Sequence, residues 1–202
     1  MVKDGIPFVL VPAITALVFG VFQIWTGVVV FVLLAGFMAY FFRDPERVIP
    51  TEPNIVVSAA DGRVTRIEDR EGGMFVSVFL SPLDVHINRS PIAGEIVDIT
   101  YTPGKKRPAT SDDASLHNER NALTIRNGNY RIVCTQIAGI LARRIVCWPS
   151  AGDVLERGQR FGLIKFSSRT DLLLPKEAEI LVKVGDRVRG GETLIARLPE
   201  QL

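Results

Sequence analysis

Apolar residues are concentrated in the first quarter of the chain, and no charged residue occurs between Ile6 and Phe42. A transmembrane helix needs ~20 apolar residues, so this run of 37 positions is too long for one helix and suits two. The segment Gln23–Gly27 interrupts the run with a polar side chain, a tryptophan and a helix-breaking glycine. The pattern therefore predicts an apolar helical hairpin over residues 7–23 and 27–42.

Three other structures fit the same run: a cleaved signal peptide, one long tilted helix, or two helices lying in the membrane interface. A signal peptide is the main alternative, but its apolar core covers only ~7–15 residues and ends in a small-residue cleavage site. Positive charges flank the run at Lys3, Arg43 and Arg47, and none lies in its turn. The positive-inside rule then predicts that both ends, and the domain that follows, lie on the cytoplasmic face of the cell membrane.

After the apolar run comes a polar, proline-containing linker, and then short apolar runs alternate with turn residues. Val56–Val57, Phe75–Leu80 and Leu123–Arg126 have the composition of β-strands. Asn127-Gly128 is a strong hairpin signal between the last of these strands and another that begins at Tyr130. The pattern indicates a domain made mainly of short strands.

One turn-forming segment occurs twice, since Gly152–Gln159 matches Gly185–Glu192 in its glycines, its aspartate and one apolar position. Repeated turns of this kind suit a sandwich or barrel of short strands, as in lipoyl- and biotinyl-carrier domains, a likeness of fold alone. We therefore predict a membrane-anchoring hairpin at 1–47 and a compact, mainly β domain of sandwich-like or barrel-like form at 48–202.

Composition narrows the classes of function. The 24 basic and 22 acidic residues give a net charge of +2 and are mixed along the polar part of the chain, which argues against nucleic-acid binding. Cys134 and Cys147 lie in apolar runs, so we expect free thiols in a reducing compartment. The chain has no CxxC pair and no His/Cys cluster, so no metal site is expected.

Ser167 and Ser168 close an apolar strand, which on composition alone is an ordinary strand end. Other motifs change that interpretation, because the chain resembles the phosphatidylserine decarboxylase proenzyme family, of the short bacterial and archaeal type, essentially from end to end. The motifs that carry this resemblance lie in family order at Phe41–Arg47, Ala60–Val64, Ser81–Arg89, Asn118–Asn121, Gln136–Gly139, Ala142–Val146 and Arg160–Gly162.

The resemblance implies that the chain cuts itself between Ser167 and Ser168, giving a β chain of residues 1–167 and an α chain of residues 168–202 that stay together. It also implies that Ser168 becomes a pyruvoyl group, the one cofactor required, which forms a Schiff base with the amine of an aminophospholipid. The implied reaction makes phosphatidylethanolamine from phosphatidylserine, or the equivalent from archaetidylserine, since both lipids carry the same headgroup. A homo-oligomer is compatible with this scheme.

The resemblance also assigns roles to individual residues. His86, in the Asp84-Val85-His86 motif, matches a family histidine implicated in catalysis, and Asp61 matches an aspartate associated with self-processing. His117 is expected to be incidental, and Asn118–Arg120 to give packing or loop support.

Two positions depart from the family pattern. Ser167 stands where the family usually has glycine, and Arg89 stands where one branch has a second histidine, although arginine cannot act as a base. The processing base is therefore left open: either His86 serves in both reactions, or a water molecule helps. The polar loop 104–113 is expected to be solvated, with contact to anionic lipid as the alternative.

Two other functions stay open. A non-enzymatic, membrane-anchored carrier or adaptor domain would keep its chain intact, although neither turn has a lysine for modification. A pyruvoyl decarboxylase of a soluble amino acid is disfavoured by the apolar N-terminus.

Overall fold

The computed structural model describes residues 1–105, 117–139, 144–166 and 168–200. It divides into two compact units, Met1–Glu46 and Arg47–Leu202. Ser167, part of the 142–146 motif and most of the 104–113 loop are sequence features that lie outside the described residues.

The first unit is a pair of helices joined by a short turn. After a 3₁₀ turn at Lys3–Gly5, α1 covers Ile6–Val21 and α2 covers Trp25–Phe41. The rings of Phe19 and Phe31 stack across the pair with centroids 5.4 Å apart. The predicted hairpin is confirmed, with each helix beginning and ending one or two residues earlier than expected. The stretch from the 3₁₀ turn through α1 is long and apolar enough to cross a membrane, while α2 is shorter.

The second unit consists of short strands connected by turns. Its strands are β1 (Ile55–Val57), β2 (Gly62–Arg70), β3 (Gly73–Leu80), β4 (Ile87–Arg89), β5 (Gly94–Thr102), β6 (Arg120–Asn127), β7 (Tyr130–Ala138), β8 (Arg144–Cys147), β9 (Val154–Leu155), β10 (Arg160–Lys165), β11 (Ser168–Leu174), β12 (Glu179–Ile180), β13 (Arg187–Val188) and β14 (Leu194–Arg197). The predicted strands lie within β1, β3, β6 and β7. Asn127 pairs with Tyr130 across the predicted hairpin turn.

The strands form three antiparallel sheets. The large sheet has the order β13-β2-β3-β11-β7-β6-β5-β9, and the two small sheets have the orders β1-β14-β12 and β4-β10-β8. Val56 of β1 and Phe161 of β10 share one buried apolar core with Val76 and Leu123 of the large sheet. Both small sheets therefore pack on the same face of the large one, and the mainly β fold predicted from the sequence is confirmed.

The repeated turns occupy equivalent places in two similar halves of the strand unit. Gly152 and Gly185 have φ values of 94° and 101°, and each N–H donates to a strand carbonyl, of Ile96 and Val64 respectively, at 2.8 Å. The neighbouring pairs β4–β10 and β1–β14 have the same register, each interrupted by a bulge. The repeat seen in the turns thus extends into the strands around them.

Candidate active site

Ser168 is the first residue of β11, which lies in the large sheet between β3 and β7. It pairs with Leu80 on one side and Ala138 on the other. Its side chain is on the core face, like that of Leu172, because alternate residues of a strand share a face. Its Oγ is buried and has no hydrogen-bond partner among the described residues. An unsatisfied buried hydroxyl costs ~1–3 kcal/mol, so stability does not explain this serine.

The backbone directly upstream is strained. Phe166 follows the end of β10 and has φ 68°, in the left-handed region. That conformation costs a residue with a Cβ atom ~1–2 kcal/mol, and such strain persists where the surrounding structure enforces it. Ser167, which follows it, lies outside the described residues. The strained residue therefore lies two positions before Ser168, on the upstream side of the predicted cleavage site.

His86 is buried, with 2% of its surface exposed. Its Nδ1 lies 2.9 Å from the backbone carbonyl oxygen of Asp84. A carbonyl oxygen can only accept, so Nδ1 carries the hydrogen, and in the neutral form of the ring Nε2 is then the atom with the lone pair. The His86 carbonyl accepts the N–H of Ile164 at 3.3 Å, which fixes the histidine to β10. This tautomer presents Nε2 as the basic atom.

The segments that carry His86 and Ser168 meet at one corner of the strand unit. Leu80, which precedes the His86 loop, pairs with Ser168. Ile87, which follows that loop, pairs with Leu163 of β10, the strand that leads to Ser168. The residues at the two ends of the His86 loop thus pair with residues on either side of the connection between β10 and β11, so the fold brings the segments that carry the predicted histidine and serine together.

Asp61 lies in the turn before β2 and is held by an ion pair. Arg47 Nη2 donates to its two carboxylate oxygens at 2.9 and 2.7 Å, and the Gly190 N–H donates to Oδ1 at 2.8 Å. Burial raises the pKa of Asp61; the Gly190 N–H and Arg47 oppose this rise, and the nearby Asp84 carboxylate adds to it. Asp84, which belongs to the His86 loop, thus acts on Asp61 electrostatically. Arg47, counted from the sequence as a charge flanking the apolar run, has a side chain only 6% exposed and binds Asp61.

Four buried polar side chains near Ser168 were missed by sequence reasoning. Asn88 Nδ2 donates to Thr170 Oγ1 at 2.9 Å, and Asn88 Oδ1 accepts from Gln136 Nε2 at 2.9 Å. Gln136 Oε1 in turn accepts from Asn121 Nδ2 at 3.2 Å. The three amides all lie in motifs that carry the family resemblance, and this was the signal that could have identified them.

Other residues singled out from the sequence have structural surroundings. Arg89 is buried and donates to the carbonyl of Gly158 at 3.0 Å, so the position of the second histidine holds an arginine that braces a turn. Asn118 is buried and donates to the carbonyl of Ala138 at 2.8 Å, at the position of β7 that pairs with Ser168. His117 is exposed.

Cys134 and Cys147 are free thiols. Burial raises the pKa of both, so neither is activated as a thiolate. Within the described ranges, no group of three His, Cys, Asp or Glu side chains could hold a metal ion.

Comparison with known proteins gives one consistent result. The family model described as phosphatidylserine decarboxylase matches residues 34–196. A protein of Symbiobacterium thermophilum named phosphatidylserine decarboxylase proenzyme is 50% identical over 207 residues, covering 98% of this chain and 95% of the relative. Proteins with the same name from Oleidesulfovibrio alaskensis (44% identical, covering 98% and 94%) and Desulfotalea psychrophila (39%, covering 97% and 95%) are also similar from end to end.

Proposed function

The chain belongs to the phosphatidylserine decarboxylase family, and we propose that it is a self-processing proenzyme whose pyruvoyl group is made from Ser168. Its reaction is the decarboxylation of phosphatidylserine to phosphatidylethanolamine in phospholipid synthesis. The observation that carries the proposal is the buried Oγ of Ser168, which has no hydrogen-bond partner among the described residues and follows the strained Phe166 beside the His86 loop.

Self-processing starts when Ser168 Oγ attacks the carbonyl carbon of Ser167, so that the amide becomes an ester and its nitrogen takes up a proton. Loss of the Cα proton of residue 168 then expels the Ser167 carboxylate and leaves a C=C bond at the new N-terminus. Tautomerisation, addition of water and departure of ammonia convert this end into a ketone, the pyruvoyl group. The products are a β chain of residues 1–167 and an α chain of residues 168–202.

Two features of the precursor favour the first step. The strain at Phe166 raises the energy of the intact connection and can be released when the bond breaks. The Ser168 hydroxyl has no hydrogen bond to a described residue that must be given up before it attacks. Both features favour cleavage at this strand end over the other serine positions in the sheet.

His86 is proposed as the group that moves protons in both reactions. Its Nδ1–H is engaged by the Asp84 carbonyl, so Nε2 can accept the Ser168 proton and return it to the departing nitrogen. Arg89 cannot take this part, since a guanidinium has no lone pair to offer. Asp61 is proposed to support processing through the electrostatic interaction of its carboxylate with Asp84, which belongs to the His86 loop.

Residue 168 would hold the pyruvoyl group, which would supply an electrophilic carbonyl able to accept the electrons released in decarboxylation. A protonated His86 at the same corner can then deliver a proton to the carbon that has lost its carboxylate. Residue 168 is buried at the edge of the core, which restricts access of bulk water to this position.

The two chains are expected to remain associated after cleavage. The α chain would contain β11 to β14, and β11 is hydrogen-bonded on both sides to strands of the β chain, β3 and β7. Removing a central strand would expose both neighbouring ladders and the core beneath them.

Membrane association follows from the phospholipid-synthesising family and from the apolar stretch Lys3–Val21. We propose that the strand unit lies on the cytoplasmic face, because Lys3 and Arg43 flank the helices and the turn between them has no charge. The Arg43 guanidinium lies 3.8 Å from the ring centroid of Tyr40, a pair suited to the membrane interface. Anchoring lets the substrate keep its tails in the bilayer, since extraction costs ~0.8 kcal/mol per CH₂.

Intact-mass spectrometry of the purified full chain tests the proposal. Wild type should give chains of residues 1–167 and 168–202, the shorter beginning with a pyruvoyl group, and should release carbon dioxide from phosphatidylserine vesicles. Ser168→Ala should stay whole and inactive, while Ser90→Ala, which alters another buried serine, should still be cleaved. A folded wild-type chain that stays whole would support the carrier interpretation instead. Vesicles of archaetidylserine, assayed in parallel, measure the preference for lipid tails.

A further inference from the structure

His86 and Ser168 are positioned by different sheets. His86 immediately precedes β4, a strand of a small sheet, whereas Ser168 begins β11 in the large sheet. In the sheet order β4 and β11 are not neighbours, so no backbone ladder joins these two strands. Their spacing therefore depends on the connecting chain and on side-chain contacts between the sheets.

One side-chain hydrogen bond spans the two strands directly. Asn88, two residues after His86, donates from Nδ2 to Oγ1 of Thr170, two residues after Ser168, at 2.9 Å. Both side chains are buried, with 0% and 1% of their surface exposed. Alternate residues of a strand share a face, so Thr170 lies on the face that carries the Ser168 hydroxyl. The bond therefore joins the two strands next to the reacting groups.

The Asn88 amide is held at both ends. Its Oδ1 accepts from Gln136 Nε2 at 2.9 Å, and its Nδ2 also faces the Ala59 carbonyl at 3.4 Å. Rotating the amide by half a turn would place Asn88 Nδ2 against the Gln136 Nε2 donor and Asn88 Oδ1 against the Ala59 carbonyl oxygen. The orientation of Nδ2 toward Thr170 is therefore fixed. Gln136 is part of β7, the other neighbour of β11, and thus links the same amide to the large sheet.

The fold does not need a polar side chain at this position. In the other half of the repeat, the β1–β14 pair has the same register, and the residue equivalent to Asn88 is Val56, which is fully buried in the apolar core. The half that leads to the reactive serine thus has a buried amide where the other half has a valine.

We propose that Asn88 and Thr170 form a clamp that sets the distance between His86 and Ser168, which makes them positioning residues for self-processing and decarboxylation. This inference rests on the function proposed above. Breaking the bond lets the two sheets shift relative to each other. A displacement of about 1 Å at a reacting group can lower a rate by ~100-fold, whereas loss of one buried hydrogen bond removes only ~1 kcal/mol of stability.

The test compares hydroxyl-free and hydroxyl-bearing residues at position 170. Thr170→Val keeps the shape of the side chain and removes its hydrogen bond with Asn88, whereas Thr170→Ser keeps a hydroxyl that can accept from Asn88. Ser90→Ala removes a different buried hydroxyl, which donates to the Ile92 carbonyl at 2.6 Å. Full-length chains are synthesised in the presence of lipid vesicles, and cleavage is followed by intact mass across a range of pH. Thermal unfolding of each variant is measured in a Ser168→Ala background, so that processing does not alter the result.

We expect Thr170→Val to cleave ~10–100-fold more slowly and with an altered pH profile, while Thr170→Ser and Ser90→Ala cleave at close to the wild-type rate. Cleavage of Thr170→Val at the wild-type rate would overturn the clamp. So would equal slowing of Thr170→Val and Ser90→Ala with an unchanged pH profile, since that pattern reports stability alone. If Thr170→Val does not fold, Thr170→Ala poses the same question. Failure of the wild-type chain to cleave would refute the proposed function itself. The clamp is tested only if the wild-type chain cleaves, by comparing the cleavage rates of the variants with the wild-type rate.

Discussion

Residues 55–64 and 87–96 begin two halves of the strand unit that are built alike. In each half a three-residue strand is followed by a buried serine, Ser58 or Ser90, whose Oγ donates to a carbonyl two residues later at 2.7 or 2.6 Å. The carbonyl of each serine accepts an N–H from one of the repeated turns, that of Gly191 or Gly158, at 2.8 Å in both cases. The two halves therefore share a backbone and the hydrogen bonds that stabilise it.

They differ where they meet the candidate active site. Asp61, with its ion pair to Arg47, has the exposed Ala93 as its counterpart, and Asn88 has the counterpart Val56. The serine and turn hydrogen bonds occur in both halves, whereas Asp61, which also accepts the Gly190 N–H, has no carboxylate at the matching position of the second half. The comparison shows that one duplicated scaffold carries Asp61 in one half and Asn88 in the other, where the matching positions hold Ala93 and Val56.

The largest expected effect comes from removing the charge that distinguishes the first half. Asp61→Asn keeps the shape of the side chain and loses the carboxylate beside Asp84, and we expect self-cleavage to slow at least ~100-fold. The measurement is the fraction of cleaved chain against time by intact mass. The matched control is Ala93→Asn, the same residue at the equivalent exposed position, which should cleave normally. Equal rates for Asp61→Asn and wild type would remove Asp61 from the processing machinery.

The sequence predicted those parts of the fold that depend on neighbours in the chain. The helical hairpin follows from an uninterrupted apolar run, and the β6–β7 turn from Asn127-Gly128, because both signals are local. The repeat was visible only in its turns, where glycine is needed for a positive φ. Its strands differ in side chains, as Val56 and Asn88 do, and equivalent positions become apparent only from their register.

The candidate site was predicted in part, for a related reason. His86 and Ser168 came from motifs, but the bond from Asn88 to Thr170 joins residues 82 positions apart, and the ion pair of Asp61 uses Arg47 from the linker. Such contacts depend on how the sheets pack, which no local pattern specifies. From the sequence, Arg47 was noted only as a positive charge after an apolar run, and nothing local to it pointed to Asp61.

A smaller effect should appear in the pH dependence of stability, because Arg47 contacts two carboxylates whose pKa values shift in opposite directions. The pKa of Asp61 is raised from its ordinary 3.8 by burial, so its contribution to stability is present below that value and is lost as pH rises through the folded pKa. The pKa of Glu192 is lowered from 4.5 by the Val48 N–H and by Arg47, so its contribution is present above that value and is lost as pH falls through the folded pKa.

Thermal unfolding between pH 3 and 7, in a Ser168→Ala background, measures both contributions. Relative to the parent chain, Asp61→Asn should gain stability as pH rises through this range, whereas Glu192→Gln should lose it, each by a few degrees in Tm. Parallel curves for Asp61→Asn and Glu192→Gln would contradict the opposite shifts.

The smallest effect expected is a difference near zero between the two repeated turns. Gly152 and Gly185 both have positive φ, and a Cβ atom at either would meet nothing within 4 Å, so alanine at each position adds only the backbone cost of ~1–2 kcal/mol. If the scaffold is duplicated in energy as well as in geometry, the free energies of unfolding of Gly152→Ala and Gly185→Ala should agree within ~0.5 kcal/mol. Denaturant unfolding of both variants in the Ser168→Ala background gives this comparison. A larger cost at one turn would mean that its half forms the more cooperative part of the domain, and that the two copies are alike in shape but no longer equivalent in stability.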